Sequence, residues 1–314
     1  SHELFHVWNV KTIRPHEMYH YDYSKENYSR LGYVYEGVTT YYGDLFLVRS
    51  GVYSIDQFFS ELNVRIQKHF DNYGRFNLSV ADSSFDTWLD GYVSGIPNRK
   101  TSIYDEGCLI ALMTDLMIRQ STHGKSSLDD VMRMLYQDFG KHGIGYTEAD
   151  YITVVEQVAQ APMADFFLDY VYGTEDYEPL LRDLLEWVGC GITMDPSPRY
   201  HERHYGFKIV SEGQAPKVSS VFPGSPAFLA GMAKDDEVVA VNGVKVEGNV
   251  SELCSSETAD LTVVTPMKKI KVLRVHADGD MYFPVIQVNY LAQAASEQKS
   301  RRDAWLDAQA KPNS

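Results

Sequence analysis

The spacing of apolar residues changes once along the chain, and the change falls on a pair of prolines. From residue 1 to about 193 the spacing is mostly helical, as in the face formed by Ile55, Phe58, Phe59, Leu62, Ile66 and Phe70. Neither a helix nor a central strand accommodates the run Asp195-Pro196-Ser197-Pro198-Arg199. Beyond it the period shortens towards two: Phe207 to Val210, Val218 to Phe222, Glu237 to Val241 and Leu261 to Val264 read as short strands, and Asn242-Gly243 as a hairpin turn. A chain of 314 residues is also long for one core. The expected fold is therefore multidomain: a mainly α part over 1–195, a small mainly β domain over 200–290, and a helical tail over 291–314 docking Leu291, Trp305 and Leu306.

Punctuation agrees with this division. Gly51 follows a helical stretch ending in Leu45, Phe46 and Val48, while Ser127 with Asp130 three residues on, Thr147 and Pro162 stand at cap or first-turn positions. Ser225-Pro226, closed by Gly231, marks one or two helical turns inside the β half.

Composition removes several function classes. With 43 acidic against 29 basic side chains the formal charge is -14, which repels a phosphate backbone, so nucleic acid is excluded as a partner. Cys108, Cys190 and Cys254 are odd in number and far apart, which fits buried thiols and not a disulfide framework. No run of about 18 apolar residues is present to form a membrane segment. The chain opens on Ser1 directly before a metal motif and reads as a fragment, leaving bacterial envelope and cytoplasm both open.

That motif is His2-Glu3-Leu4-Phe5-His6. Histidines four apart on a helix share a face and can share one ion, and the carboxylate between them is placed to take a proton from a metal-activated water. A catalytic site needs a third ligand, and Glu36 is the candidate, thirty residues after His6 on the next helical stretch. The competing reading makes His2 and His6 ordinary surface histidines. Thr40 and Asp44 share the Glu36 face and are either outer partners of the ligands or plain surface groups. His201-Glu202-Arg203-His204 follows the proline run and reads as a solvated turn.

The runs His2 to Lys11, Tyr21-Asp22-Tyr23 and Tyr35-Glu36-Gly37-Val38-Thr39-Thr40-Tyr41-Tyr42 resemble the glycyl aminopeptidase family of gluzincin zinc metallopeptidases. Ser83 to Trp88, Tyr104-Asp105-Glu106-Gly107, Ser127 to Arg133 and Tyr170 to Glu175 extend the resemblance over nearly the whole chain. It implies a thermolysin-like catalytic subdomain holding one Zn2+ at His2, His6 and Glu36, with Glu3 as general base and acid. Tyr104 matches a tyrosine that steadies the oxyanion, or else packs its helix. Glu106 departs from the pattern, standing where a lysine is common. The segment that would recognise a substrate α-amine precedes the chain, and a helix with only Ser1 before His2 is expected to fray and hold metal weakly.

In the second half Tyr205-Gly206-Phe207-Lys208-Ile209, Gly224 to Gly231 and Asp236 to Gly243 resemble a PDZ domain of the kind found in bacterial proteases. The resemblance implies a site for a peptide C-terminus, its carboxylate held at Tyr205, Gly206 and Phe207, although the groove helix near Val250 to Cys254 is short. The function expected is a zinc aminopeptidase of short peptides with a PDZ module. The alternative is an inactive, peptidase-like binding protein.

Overall fold

Two glycines decide how the helical part packs. The computed structural model describes residues 1–90, 96–210, 216–247 and 250–306, and the chain divides into one unit of Ser1–Ile192 with Gln287–Ser314 and a second of Thr193–Ile286. In the first unit α1 (His2–Phe5) is followed by a π turn, Tyr33–Val38, that runs into α2 (Thr39–Arg49) and then α3 (Ile55–Asp71). Next come α4 (Val80–Phe85), α5 (Thr87–Asp90) and α6 (Asp105–Ser121). The π turn crosses the start of α6 backbone to backbone. A Cβ on Gly107 would stand 2.7 Å from Gly37 Cα and 2.8 Å from the Tyr33 carbonyl, and one on Gly37 would collide with the Gly107 backbone. Helices approach this closely only where neither carries a side chain. Gly37→Ala is therefore expected to destabilise the unit by about 1–3 kcal/mol through overpacking. An unchanged denaturation midpoint for Gly37→Ala would contradict the crossing.

Behind that crossing, α6 is buried along most of its length and carries a polar network. Asp115, 1% exposed, accepts from Tyr41 Oη at 2.6 Å, Arg119 Nε at 3.1 Å and the Leu128 N–H at 2.9 Å. Every oxygen of this carboxylate thus has a donor, which is what allows a charge to sit in a core. Trp305 Nε1 donates to Tyr41 Oη at 2.8 Å and its ring meets Phe58 edge-on, so α13 (Ser296–Leu306) packs inside this unit. The tail set apart in the sequence reading thus falls within the first unit, its last residues, 307–314, lying outside the described ones. Ser127 and Thr147 each form a capping box with the Asp three residues on, opening α7 (Leu128–Asp138) and α8 (Glu148–Ala159). Pro162 departs from its expected place, since α9 (Ala164–Phe166) begins two residues after it. The unit continues through a second π turn, Phe167–Val171, and α10 (Glu178–Trp187). The chain leaves along β1 (Cys190–Asp195) and returns along β8 (Val285–Tyr290), which pair with each other.

The second unit is sheet-rich. Its strands β2 (Phe207–Val210), β3 (Lys217–Val221), β4 (Glu237–Val241), β6 (Thr258–Val264) and β7 (Ile270–His276) lie in that order, with β5 (Val244–Lys245) paired to β4 around the Asn242-Gly243 turn, both of whose residues have positive φ. Val218, Val238, Leu261, Val263 and Val275 alternate onto one face and close over α11 (Pro226–Leu229) and α12 (Val250–Leu253). The unit spans 193–286, against the 200–290 read from the sequence.

The turn expected to be solvated, His201 to His204, is instead the buried entrance to this unit. Residues His201–Tyr205 form a π turn in which His201 is 0% and Glu202 4% exposed. Glu202 accepts from Ser197 Oγ at 2.7 Å and Arg199 at 2.8 Å, so the residues of the proline run supply its partners. His201 contacts Ser251 Oγ through Nδ1 at 3.0 Å, while its Nε2 has no hydrogen-bond partner among the described residues. Burial pushes its pKa down to about 4 from 6.5, so folding favours the neutral ring. The unfolded chain binds the proton more readily, hence this stabilisation is complete above pH 6.5 and is lost as pH falls towards 4, by up to roughly 3 kcal/mol. Peptide-resolved hydrogen exchange over residues 200–286 should show protection falling across that window in the wild type and a flatter profile in His201→Gln. Identical profiles would remove His201 as the cause.

Candidate metal centre

The HExxH helix is a single turn, so its side chains must be fixed from outside. Phe5 provides one anchor, buried against Tyr42 and Phe46 with ring centroids 4.7 and 5.6 Å away. Gly43 provides the other, because a Cβ there would come within 3.3 Å of His2 Cα, and its absence lets α1 lie on α2. His2 is further held by its carbonyl, which accepts from the His6 N–H at 3.3 Å, so the fraying expected of a helix start is opposed by packing. The two imidazoles stand edge to face, 4.7 Å between centroids.

Glu36 meets them from the π turn. Its Oε2 lies 3.3 Å from His2 Nε2 and 3.4 Å from His6 Nε2, and these three are the metal-type cluster among the described residues. Donor atoms bound about 2.0–2.1 Å from one tetrahedral ion lie about 3.3–3.4 Å apart, so the spacing fits zinc. The hydrogen bonding makes the same case independently. His6 Nδ1 is 2.8 Å from the Asn9 carbonyl, which can only accept, so in the neutral ring the proton resides on Nδ1 and Nε2 presents a lone pair. That lone pair faces Glu36 Oε2, a buried oxygen with no hydrogen-bond donor of its own. Two acceptors pointed at each other call for a cation or a shared proton between them, and a metal ion is one way to supply it. Protonating His2 instead is opposed by burial first and by neighbouring His6 second, both of which lower its pKa.

Burial raises the Glu36 pKa, against the attraction of His6 and a hydrogen bond from Tyr104 that lower it. Glu3 is exposed, and its charge acts on both His2 and Glu36. Tyr104 precedes α6 and places its ring 6.1 Å from that of His2. The unexpected Glu106 is explained one turn inside: 2% exposed, it contacts His69 Nδ1 at 2.7 Å, and that ring stacks on Tyr177. A lysine there would leave His69 without this partner. Among the outer candidates, Thr40 Oγ1 approaches His2 Nδ1 at 3.4 Å, but Asp44 pairs with Arg65 at 2.8 Å and not with a ligand. Arg65 also reaches Asp105 at 3.2 Å, linking α2, α3 and α6 beneath the site.

Sequence reasoning missed Asn9. Besides orienting His6 through its carbonyl, its side chain donates to the Val34 carbonyl at 3.0 Å and Thr39 Oγ1 at 3.1 Å, tying the histidine loop to the π turn that bears Glu36. The available signal was a polar residue between Trp8 and Val10 that proves fully buried.

Glu36 and Tyr104 also form one wall of a cleft of about 470 Å³, floored by Ile103 and Met18 and lined by Tyr21, Trp88 and the two cations Lys11 and Arg14. In the second unit Tyr205 and Phe207 are fully buried, so their side chains belong to the core, and Gly206 has φ 73° with Ser225 too close to admit a Cβ. Only backbone groups of this loop can meet a ligand.

Residues 1–110 match the model of the M61 glycyl aminopeptidase family. Among solved structures, an aminopeptidase N family protein from Idiomarina loihiensis is 26% identical with a TM-score of 0.84, covering 97% of this chain and 53% of that one. The chain thus spans about half the length of that relative. A photosystem II D1 C-terminal processing protease, 15% identical over 55% of this chain and 44% of that one, aligns with a TM-score of 0.24, too low to bear on the fold. No curated protein matches the sequence.

Proposed function

We propose that the chain, whose residues 1–110 match the M61 glycyl aminopeptidase family, forms the metal-binding part of a zinc-dependent aminopeptidase acting on short peptides. The observation that carries the reading is the donor-less Glu36 Oε2 set between two imidazole nitrogens at 3.3 and 3.4 Å. A zinc ion held there supplies Lewis-acid polarisation of the scissile carbonyl and a water acidified to a pKa of about 7. The residues of the chain do the rest. Glu3 would take a proton from the attacking water at its carboxylate and return it to the departing amine. Tyr104 donates its phenol proton in a hydrogen bond to the carbonyl oxygen as negative charge gathers there. The Asn9 carbonyl keeps the His6 proton on Nδ1, so that Nε2 remains a ligand.

Hydrolysis of free and N-acetylated short peptides, with zinc and after chelation, tests this reading. Cleavage should require zinc, and any preference for the free over the acetylated peptide reports the aminopeptidase part of the reading; absence of zinc-dependent cleavage would overturn it. Tyr104→Phe should keep the zinc while lowering kcat and kcat/KM together, as befits a contact made in the transition state. Loss of thermal stability alone would return Tyr104 to a packing role.

For the second unit we propose a PDZ-type site that takes a peptide C-terminus along β2, with its carboxylate at the backbone N–H of Phe207, since the Gly206 N–H is already given to the His201 carbonyl. Support comes from β2 standing at one end of the strand order among the described residues. A fluorescent peptide library differing only in C-terminal acid or amide should separate the two. Equal binding of both would exclude a carboxylate site.

A further inference from the structure

The cleft beside Glu36 carries a charge arrangement opposite to that of the molecule. On a chain of formal charge -14, its lining contains Lys11 and Arg14 and a single carboxylate, Glu36, whose oxygen is already committed to the histidine nitrogens. Arg14 is braced without being neutralised. Its Nε and Nη2 donate to the carbonyls of Val10 and Lys11, both at 3.2 Å, and neither Arg14 nor Lys11 pairs with a carboxylate among the described residues. A guanidinium fixed by backbone carbonyls and turned on a cleft is preorganised for an anion, because little side-chain freedom remains to be lost on binding. Around the cations stand Tyr21, Trp88 and Tyr35, with Trp88 Nε1 held by the Asn27 carbonyl at 3.0 Å. These surfaces suit the apolar flank of a peptide.

We infer that this cleft is a substrate-selecting subsite in which Arg14 and Lys11 bind a peptide carboxylate next to the candidate metal centre. The inference rests on the peptidase reading for its choice of ligand. A carboxylate can come from two sources, the C-terminus of a short peptide or an acidic side chain. In the first case the subsite measures length, since only a peptide short enough to reach Arg14 with its terminus gains the contact. In the second it selects sequence.

Equilibrium binding to the 314-residue chain decides the matter. Three peptides are needed: a neutral tetrapeptide with a free terminal carboxylate, its C-terminal amide, and an amide carrying one internal glutamate. The free acid, the glutamate-bearing amide or both should bind at least about tenfold more tightly than the neutral amide, as expected of charge-assisted contacts, and the advantage should shrink with added salt. Which of the two gains identifies the source. Arg14→Gln and Lys11→Gln should each reduce the advantage of the acids over the neutral amide, and the double variant should abolish it. Lys11 is exposed and its contacts are made by its backbone, with no ion pair of its ammonium among the described residues, so its substitution tests the charge with little risk to the local turn. Equal binding of all three peptides, absence of binding, or an acid preference that survives the double variant would overturn the inference. Because binding is read without turnover, failure of the peptidase reading would show separately, as an intact acid preference with no zinc-dependent hydrolysis.

Discussion

Glu3→Gln is expected to leave zinc bound and to lower kcat by about 10²-fold to 10⁴-fold, the usual contribution of a positioned general acid-base. The amide keeps the shape of the side chain and discards only its ability to accept a proton. Glu3 is exposed and is not one of the three clustered ligands, so its replacement removes no metal contact and no core packing. The expected signature is therefore unchanged zinc stoichiometry and unchanged thermal stability beside a large fall in rate. Near-native turnover with Gln at position 3 would transfer the proton to another group.

Removing a ligand should act on binding itself. His6→Ala and Glu36→Ala are each expected to weaken zinc affinity by more than about 100-fold, beyond what loss of an outer-shell partner usually costs. The His6 variant deletes the nitrogen whose proton partner, the Asn9 carbonyl, already sets its tautomer, and Glu36→Ala deletes the oxygen that both imidazoles face. Zinc held as tightly by these variants as by the wild type would mean the ion sits elsewhere.

How much of this was legible beforehand follows from what each signal depends on. His2, His6 and Glu36 could be named together beforehand because a metal site would fix residue type and spacing, and the structure brings the three side chains within reach of one another. The capping boxes at Ser127 and Thr147 are readable because they act over three residues. The support of the site was not. Gly37 meets Gly107 across seventy residues of sequence, Gly43 receives α1, and Asn9 reaches Thr39, all through tertiary approach that no local pattern encodes. The His201 turn was misjudged for the same reason, since the partners that bury Glu202 come from a proline run whose composition suggests solvent. Pairing of Asp44 with Arg65 likewise diverts a residue that helical spacing alone aims at the ligands. The π turn at Tyr33–Val38 has no sequence mark at all, yet it carries Glu36.

The central claim is that His2, His6 and Glu36 hold one zinc ion, and anomalous diffraction at the zinc edge from crystals of the zinc-loaded chain tests it most directly. The account predicts a single strong peak about 2.0–2.2 Å from His2 Nε2, His6 Nε2 and Glu36 Oε2, with His6 Nδ1 still bonded to the Asn9 carbonyl. A peak elsewhere, or one that touches the histidines while Glu36 turns away, would contradict it.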